Sequence, residues 1–114
     1  MINKLKITGM LGLAAKAGKI VSGANATKEA IFKGKIKLLI IAEDASERTK
    51  TNFLELAKTR NIPIHIIMNI EEISMAIGKK NKAIVGLIDF NFSKAIIKII
   101  DGGDEFWVKS KYMK

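Results

Sequence analysis

Hydrophobic and polar residues alternate along the chain in two kinds of pattern, short apolar runs and longer stripes at helical spacing. The first stripe consists of Met10, Leu13, Ala14 and Ala17, at positions i, i+3, i+4 and i+7. That spacing is typical of an amphipathic helix with one apolar face. Gly18, directly after the stripe, is a suitable residue to end the helix.

Four apolar segments predict strands. Residues 20–21 are a short extended piece, residues 36–42 (IKLLIIA) are continuously apolar apart from one lysine, Pro63 opens IPIHII, and residues 83–89 (AIVGLID) form a further run. A continuous apolar run is typical of a strand that is covered on both faces. The segment at 36–42 is therefore predicted to lie at the centre of the sheet.

Helices are predicted between these strands. One runs from Ser22-Gly23 to about residue 33, where Gly34 ends it. The later ones have apolar stripes at helical spacing: Thr49, Phe53, Leu56 and Ala57; then Ile70, Ile73 and Ile77; then Phe92, Ala95, Ile96, Ile99 and Ile100. Ser46 and Asn69 are predicted N-caps. Strands that alternate with helices predict a three-layer α/β/α sandwich around a small, about four-stranded mixed sheet. We expect one domain over residues 1–101 and a tail over 102–114.

The charge of the chain is strongly and unevenly positive. The chain has twenty Lys and Arg residues and eleven Asp and Glu residues, which gives a formal net charge of +9. Residues 1–37 contribute +7, residues 38–72 contribute −2 and residues 73–114 contribute +4. This distribution favours a polyanionic partner held by one basic face built from both ends of the sequence. Because eighteen of the twenty bases are Lys, contacts to phosphates are expected rather than bidentate readout of bases. The alternative explanation is that lysine is common in all proteins of the source organism, as in organisms whose genomes are poor in G·C.

The sequence lacks the residues that are characteristic of several classes of function. The chain has no Cys and one His, which argues against disulfides, thiolate metal sites and His clusters. No nucleotide-binding loop, nucleophile elbow or dinucleotide fingerprint occurs in the sequence. Asp89 follows a strand, where α/β sheets often place chemistry, but no nucleophile accompanies it. We expect a non-catalytic protein without cofactor or metal. With no apolar run long enough to cross a bilayer, it should be soluble and cytoplasmic.

The start of the predicted second helix has the features of an anion site. Ser22, Gly23 and Ala24 supply backbone N–H groups at a helix N-terminus, Asn25 can both donate and accept hydrogen bonds, and Lys28 adds a cation one turn later. The alternative is that Ser22 serves only as the N-cap of that helix.

The tail carries the only Trp and Tyr of the chain, Trp107 and Tyr112, among Lys109, Lys111 and Lys114. Aromatic side chains with basic neighbours can stack on unpaired bases. The alternative, which we favour, is an apolar patch that docks on the same domain or on a second subunit.

Local motifs along the chain resemble the L7Ae family of ribosomal proteins, which bind kink-turn RNA, and within it the bacterial YlxQ type. The similar segments are LGLA (11–14), AGK (17–19), SG (22–23), KGK (33–35), KL (37–38), AEDAS (42–46), AIGK (76–79) and VGLID (85–89). They cover roughly residues 4–101. The resemblance implies an α/β/α sandwich that grips a sharply bent RNA with the N-terminus of its second helix and with the loop after its fourth helix.

Gly23 and Asn25 match the pattern with which RNA binders of this family begin the second helix. Two positions depart from it. Ala26 stands where the family usually carries the Glu or Gln that hydrogen-bonds guanines, and Glu29 stands where it usually carries Lys. The resemblance and these departures together predict that a bent or irregular RNA is recognised by its shape and backbone.

The expected partner is structured RNA, ribosomal or messenger, with the chain acting as an auxiliary ribosomal protein. The alternative is a protein-interaction module of the same fold that has lost kink-turn specificity. We expect phosphate contacts, backbone donors and one polar side chain from the following residues: Lys16, Lys19, Gly23, Ala24, Asn25, Lys28, Lys33, Lys35, Lys79, Lys80 and Lys82.

Overall fold

Five helices and four strands alternate in the computed structural model, which describes residues 3–101. In chain order they are α1 (Lys4–Lys16), β1 (Ile20–Ser22), α2 (Ala24–Phe32), β2 (Leu38–Ile41), α3 (Glu47–Arg60), β3 (Ile64–Ile66), α4 (Ile70–Ala76), β4 (Ile84–Leu87) and α5 (Phe90–Ile100). The predicted tail, with Trp107 and Tyr112, lies outside the described residues. None of the helices within residues 3–101 is long and apolar enough to span a bilayer.

The four strands form one mixed sheet in the order β1-β4-β2-β3. β4 is antiparallel to both β1 and β2, and β2 is parallel to the edge strand β3. Every residue of β2 and of β4 is buried. The run at 36–42 therefore supplies one of the two interior strands, which confirms the prediction made from its continuous apolar character.

Helices cover both faces of this sheet. At Gly86 in β4, an added Cβ would lie 2.6 Å from Ile36 Cδ1 and 3.4 Å from Thr27 Cγ2, so α2 and the segment after it pack closely on one face. α1 contacts both α4 and α5, which form the other layer. The predicted three-layer α/β/α sandwich is confirmed.

The apolar stripe predicted for the first helix was wrong in part. Ile7, Leu11 and Ala14 are the buried residues of α1, whereas Leu13 is 56% exposed and Ala17 lies beyond the helix in an exposed turn. Because α1 begins well before the predicted stripe, its buried face is set by Ile7 and the residues four and seven positions later. The prediction missed that earlier start.

Polar side chains at the helix starts have local structural roles. Ser46 caps α3 by accepting a hydrogen bond from the Thr49 N–H (3.1 Å). Asn69 and Glu72 form a capping box at α4, and Asp44 Oδ1 accepts from the first N–H of that helix (2.8 Å). These bonds confirm the predicted caps, and they satisfy donors that a helix leaves unpaired.

Candidate nucleic-acid interface

Gly23 occupies the N-cap position of α2 with φ 89° and ψ 155°. Its N–H donates to the Ile84 carbonyl oxygen (2.9 Å), which ties the helix start to the beginning of β4. The prediction that the Gly23 N–H donates to an anion was therefore wrong, because this N–H is already bonded within the protein. Ser22 pairs with Val85 as the last residue of β1 and does not cap the helix. The suggestion that Ser22 serves only as an N-cap was therefore wrong, because strand pairing holds Ser22 in the sheet.

The first turn of α2 has free backbone donors. Its intrahelical hydrogen bonds begin with the Thr27 N–H donating to the Gly23 carbonyl (3.1 Å), so the N–H groups of Ala24, Asn25 and Ala26 precede the first intrahelical donor. Gly23 has no side chain with which to cap them, and the first turn carries no acidic residue. The three residues are exposed. Such a helix end attracts anions through its N–H groups and its dipole.

Lys82 brings a cation to this helix end. An added Cβ on Gly23 would lie 3.4 Å from the Lys82 ammonium nitrogen and 3.9 Å from Lys82 Cδ. The Lys82 backbone is fixed on α4, since its N–H donates to Oγ of the buried Ser74 (2.8 Å). The structure thus joins two predicted parts of the site, the start of the second helix and the Lys-rich loop at residues 79–82.

The other two lysines of that loop have different surroundings. Lys79 and Lys80 line a cleft of about 480 Å³ whose lining also includes the acidic residues Asp44 and Glu71. The remaining lining residues are Ile70, Ser74, Met75 and Asn81. Nearby carboxylates lower the attraction of Lys79 and Lys80 for phosphate, so Lys82 is the best placed of the three.

Lys28 lies on the same side of α2 as the free amides. It follows Ala24 by four positions and Asn25 by three, the two spacings that place side chains next to each other on a helix surface. All three residues are exposed, while Thr27 in the opposite direction is fully buried. Ala26 and Glu29, the two departures from the family pattern, are also exposed.

The remaining predicted lysines lie at the other end of the sheet. The Lys19 carbonyl accepts from the Ile88 N–H (3.0 Å), and β1 pairs Ile20 with Leu87, whereas Gly23 is bonded to Ile84. Lys16 ends α1 near Lys19. Lys33 and Lys35 follow the C-terminal end of α2, where Lys35 N–H donates to the Ala30 carbonyl (3.0 Å). The candidate residues therefore form two groups rather than the single basic face that the charge distribution suggested.

An exposed aromatic side chain, which the sequence analysis did not single out, lies at this second end. Phe32 is the last residue of α2 and is 54% exposed. The guanidinium carbon of Arg60, at the end of α3, lies 5.0 Å from the centre of its ring. A sequence signal existed, since Phe32 follows Lys28 by four positions and thus falls on the polar side of the helix.

Asp89, the residue that the sequence analysis considered for catalysis, has a structural role. Asp89 is the N-cap of α5, and its Oδ2 accepts from the Phe92 N–H (2.8 Å). Among residues 3–101, no group of three or more His, Cys, Asp or Glu side chains is arranged to hold a metal ion.

Fold and sequence together define the class of protein. A model of the ribosomal protein L7Ae/L30e/S12e/Gadd45 family matches residues 6–97, and the chain belongs to this family. It is similar to the RNA-binding protein YlxQ of Enterococcus faecium, with 33% identity over 100 residues that cover 88% of this chain and 96% of that protein. The RNA-binding protein YlxQ of Bacillus subtilis is 28% identical over 92 residues, covering 81% and 92%.

A solved structure shows the same fold. The chain superimposes on a protein with unknown function from Bacillus halodurans C with a TM-score of 0.82 and 31% identity, covering 84% of this chain and 97% of that one. The chain is a YlxQ-type member of its family, as the sequence motifs predicted.

Proposed function

We propose that this chain is a non-catalytic RNA-binding protein. It holds the phosphate backbone of a bent, structured RNA, either a kink-turn or a similarly irregular element. The observation that carries this proposal is the position of Lys82, whose ammonium lies beside Gly23 at the uncapped start of α2. Membership of a ribosomal-protein family and similarity to proteins named as RNA-binding support the choice of RNA as the polyanion. Ribosomal or messenger RNA in the cytoplasm is the expected partner.

The proposed contact combines backbone N–H donors with lysine charges. The amides of the first turn of α2 donate to phosphate oxygens, while Lys82 and Lys28 neutralise charge on either side of them. Asn25 supplies the polar side-chain contact to RNA. Lys79 and Lys80 contact the second strand of the RNA. Their attraction for phosphate is weaker because Asp44 and Glu71 line the same cleft.

Ala26 determines what kind of recognition remains. A methyl side chain cannot form a hydrogen bond to a base edge, so the guanine contact that the family pattern implies is lost at this position. A lost bidentate base contact lowers discrimination by about 1–3 kcal/mol in the analogous DNA case. Recognition by the shape and the phosphate backbone of the bent RNA is what the remaining groups can supply.

The double variant Asn25→Ala with Lys28→Ala tests this proposal. Titration of a fluorescent bent RNA should show at least a tenfold loss of affinity, because hydrogen bonds to charged groups contribute about 1.5–3 kcal/mol each. Lys94→Ala, an exposed lysine on α5, is the control and should bind as the wild type does. Equal binding by the double variant and the control would contradict the proposal.

A protein-interaction module is the second candidate, favoured by the exposed Ala26 and Glu29 in the first turns of α2. Glu29 repels phosphate, and Ala26 suits an apolar contact. This candidate predicts that the wild-type protein binds bent RNAs no more tightly than a straight duplex of equal length.

A further inference from the structure

The C-terminal end of α2 carries a preformed cation–π pair. The Arg60 guanidinium carbon lies 5.0 Å from the centre of the Phe32 ring, within the range of a cation–π contact. Arg60 is held further by a long hydrogen bond from its Nη1 to the Ile31 carbonyl (3.5 Å). Phe32 nevertheless remains 54% exposed, so much of its surface is open to another planar group.

The surroundings of this pair are basic and partly apolar. Lys33 and Lys35 are both exposed directly after Phe32. A groove of about 430 Å³ lies beside the pair, and it is lined by Ile31, Gly34, Ile36, Thr59, Arg60 and Ile62. Its lining has an arginine and no carboxylate. Exposed aromatic and guanidinium groups with lysines close by are the combination that binds single-stranded nucleic acid, since bases stack and phosphates pair with the cations.

The pair is aligned with the proposed RNA site. Asn25, Lys28 and Phe32 are spaced by three and four residues, which places them in one row along the outer side of α2. From Asn25 to Phe32 this row is roughly 10 Å long at 1.5 Å per residue. A strand held at the N-terminus of α2 needs only a few nucleotides to reach Phe32.

We propose that Phe32 and Arg60 form a second RNA site, at which an unpaired nucleotide next to the bent element stacks while Lys33 and Lys35 contact its flanking phosphates. This inference rests on the proposed function, because it assumes that RNA occupies the start of α2. It gives a role to Lys33 and Lys35, which follow the C-terminal end of α2 and so lie far from Gly23. The positive charge of Lys33, Lys35 and Arg60 against Glu29 favours a polyanion over an apolar protein partner.

Three RNAs test the proposal: a bent RNA with blunt ends, the same RNA with a four-nucleotide single-stranded extension at its 5′ end, and the same RNA with that extension at its 3′ end. The extension carries 2-aminopurine, whose fluorescence falls when it stacks. Wild-type protein should bind one of the extended RNAs at least tenfold more tightly than the blunt one and should quench the fluorophore, since one stacked base contributes a factor of this order.

Phe32→Leu should remove both the gain in affinity and the quenching, yet bind the blunt RNA as the wild type does. Arg60→Lys keeps the charge and should lose most of the gain, because an ammonium cannot stack. The matched control is Phe90→Leu: Phe90 is 65% exposed, has Lys94 Nζ 6.0 Å from its ring centre, and begins α5 in the other helical layer. This control should keep the full gain.

The outcomes separate the two proposals. Normal binding of the blunt RNA with no gain from either extension, or with a gain that survives Phe32→Leu, overturns the stacking site alone. The pair would then only stabilise the ends of α2 and α3, or would serve a protein partner. Failure of the wild-type protein to bind the blunt RNA overturns the proposed function and the stacking site with it.

Discussion

Replacing Lys82 by Gln should reduce the salt dependence of RNA binding by about one phosphate contact. Lys82 is the loop lysine whose ammonium lies beside Gly23, where the free amides of α2 begin. Gln keeps much of the side-chain length and removes the charge. Each phosphate that a protein neutralises contributes about −0.9 to the slope of log affinity against log salt on duplex, and about −0.7 on single strands.

The number of lysines that contact phosphate determines the expected slope. Four lysines carry the proposed phosphate contacts to a blunt bent RNA, namely Lys28, Lys79, Lys80 and Lys82, so this RNA should give a slope of about −2.8 to −3.6. The variant should give about −2.1 to −2.7. Between 50 and 200 mM salt, this corresponds to a loss of affinity of about 50–150-fold for the wild type and about 20–40-fold for the variant. An extended RNA that also reaches Lys33 and Lys35 should add about −1.4.

Fluorescence anisotropy at five or more salt concentrations measures these slopes directly. Lys94→Gln removes the same charge from the distant helix α5, and it should lower the net charge without changing the slope. If Lys82→Gln and Lys94→Gln both retain the wild-type slope, Lys82 contacts no phosphate, and the placement of the RNA at the start of α2 is wrong. A slope near zero for the wild type would refute phosphate binding altogether.

Three further predictions concern the stability of the fold and can be checked by urea unfolding. Gly86→Ala should lower the free energy of unfolding by about 1–3 kcal/mol because the new methyl lies 2.6 Å from Ile36 Cδ1. Ile36→Val removes that atom, so the double variant should be more stable than the sum of the two single changes predicts. Strict additivity of the two changes would contradict the clash. Asn69→Ala should lower the unfolding free energy by about 1 kcal/mol through loss of the capping box, while an unchanged value would show that the box is not formed in solution. Gly23→Ala should lower it by about 1–3 kcal/mol through backbone strain at φ 89°, although the added methyl has room, and a neutral effect would mean that the start of α2 rearranges.

Most of the fold could be predicted because its signals are local. The continuous apolar run at 36–42 identified an interior strand, and Ser46 and Asn69 marked the starts of two helices through side-chain hydrogen bonds to residues three positions later. The buried face of α1 was the exception. Apolar residues occur all around that helix, and only its packing against α4 and α5 distinguishes the buried Leu11 from the exposed Leu13.

The candidate site was less predictable, because it depends on which strands pair. The contact between Lys82 and Gly23 exists since β1 pairs with β4, and the Gly23 amide is thereby bonded to Ile84. The separation of Lys19 from Gly23 did have a local signal, since the three residues of β1 lie between them and a strand rises about 3.3 Å per residue. Total charge alone cannot show this separation.

The two proposed sites on α2 together suggest how this chain compensates for Ala26. Losing the guanine contact lowers discrimination by about 1–3 kcal/mol in the analogous DNA case, and stacking one unpaired base on an aromatic side chain contributes about 1–3 kcal/mol. Because the two ranges overlap, a stack at Phe32 can supply binding free energy of the size that the guanine contact would have given, but it selects a different feature of the RNA. The family pattern implies that a Glu or Gln at that position selects guanines inside the bend. This chain should instead select bent RNAs that have an unpaired nucleotide beside the bend, and in a pool of bent RNAs that differ only in flanking single strands, Phe32→Leu should abolish the preference without abolishing binding.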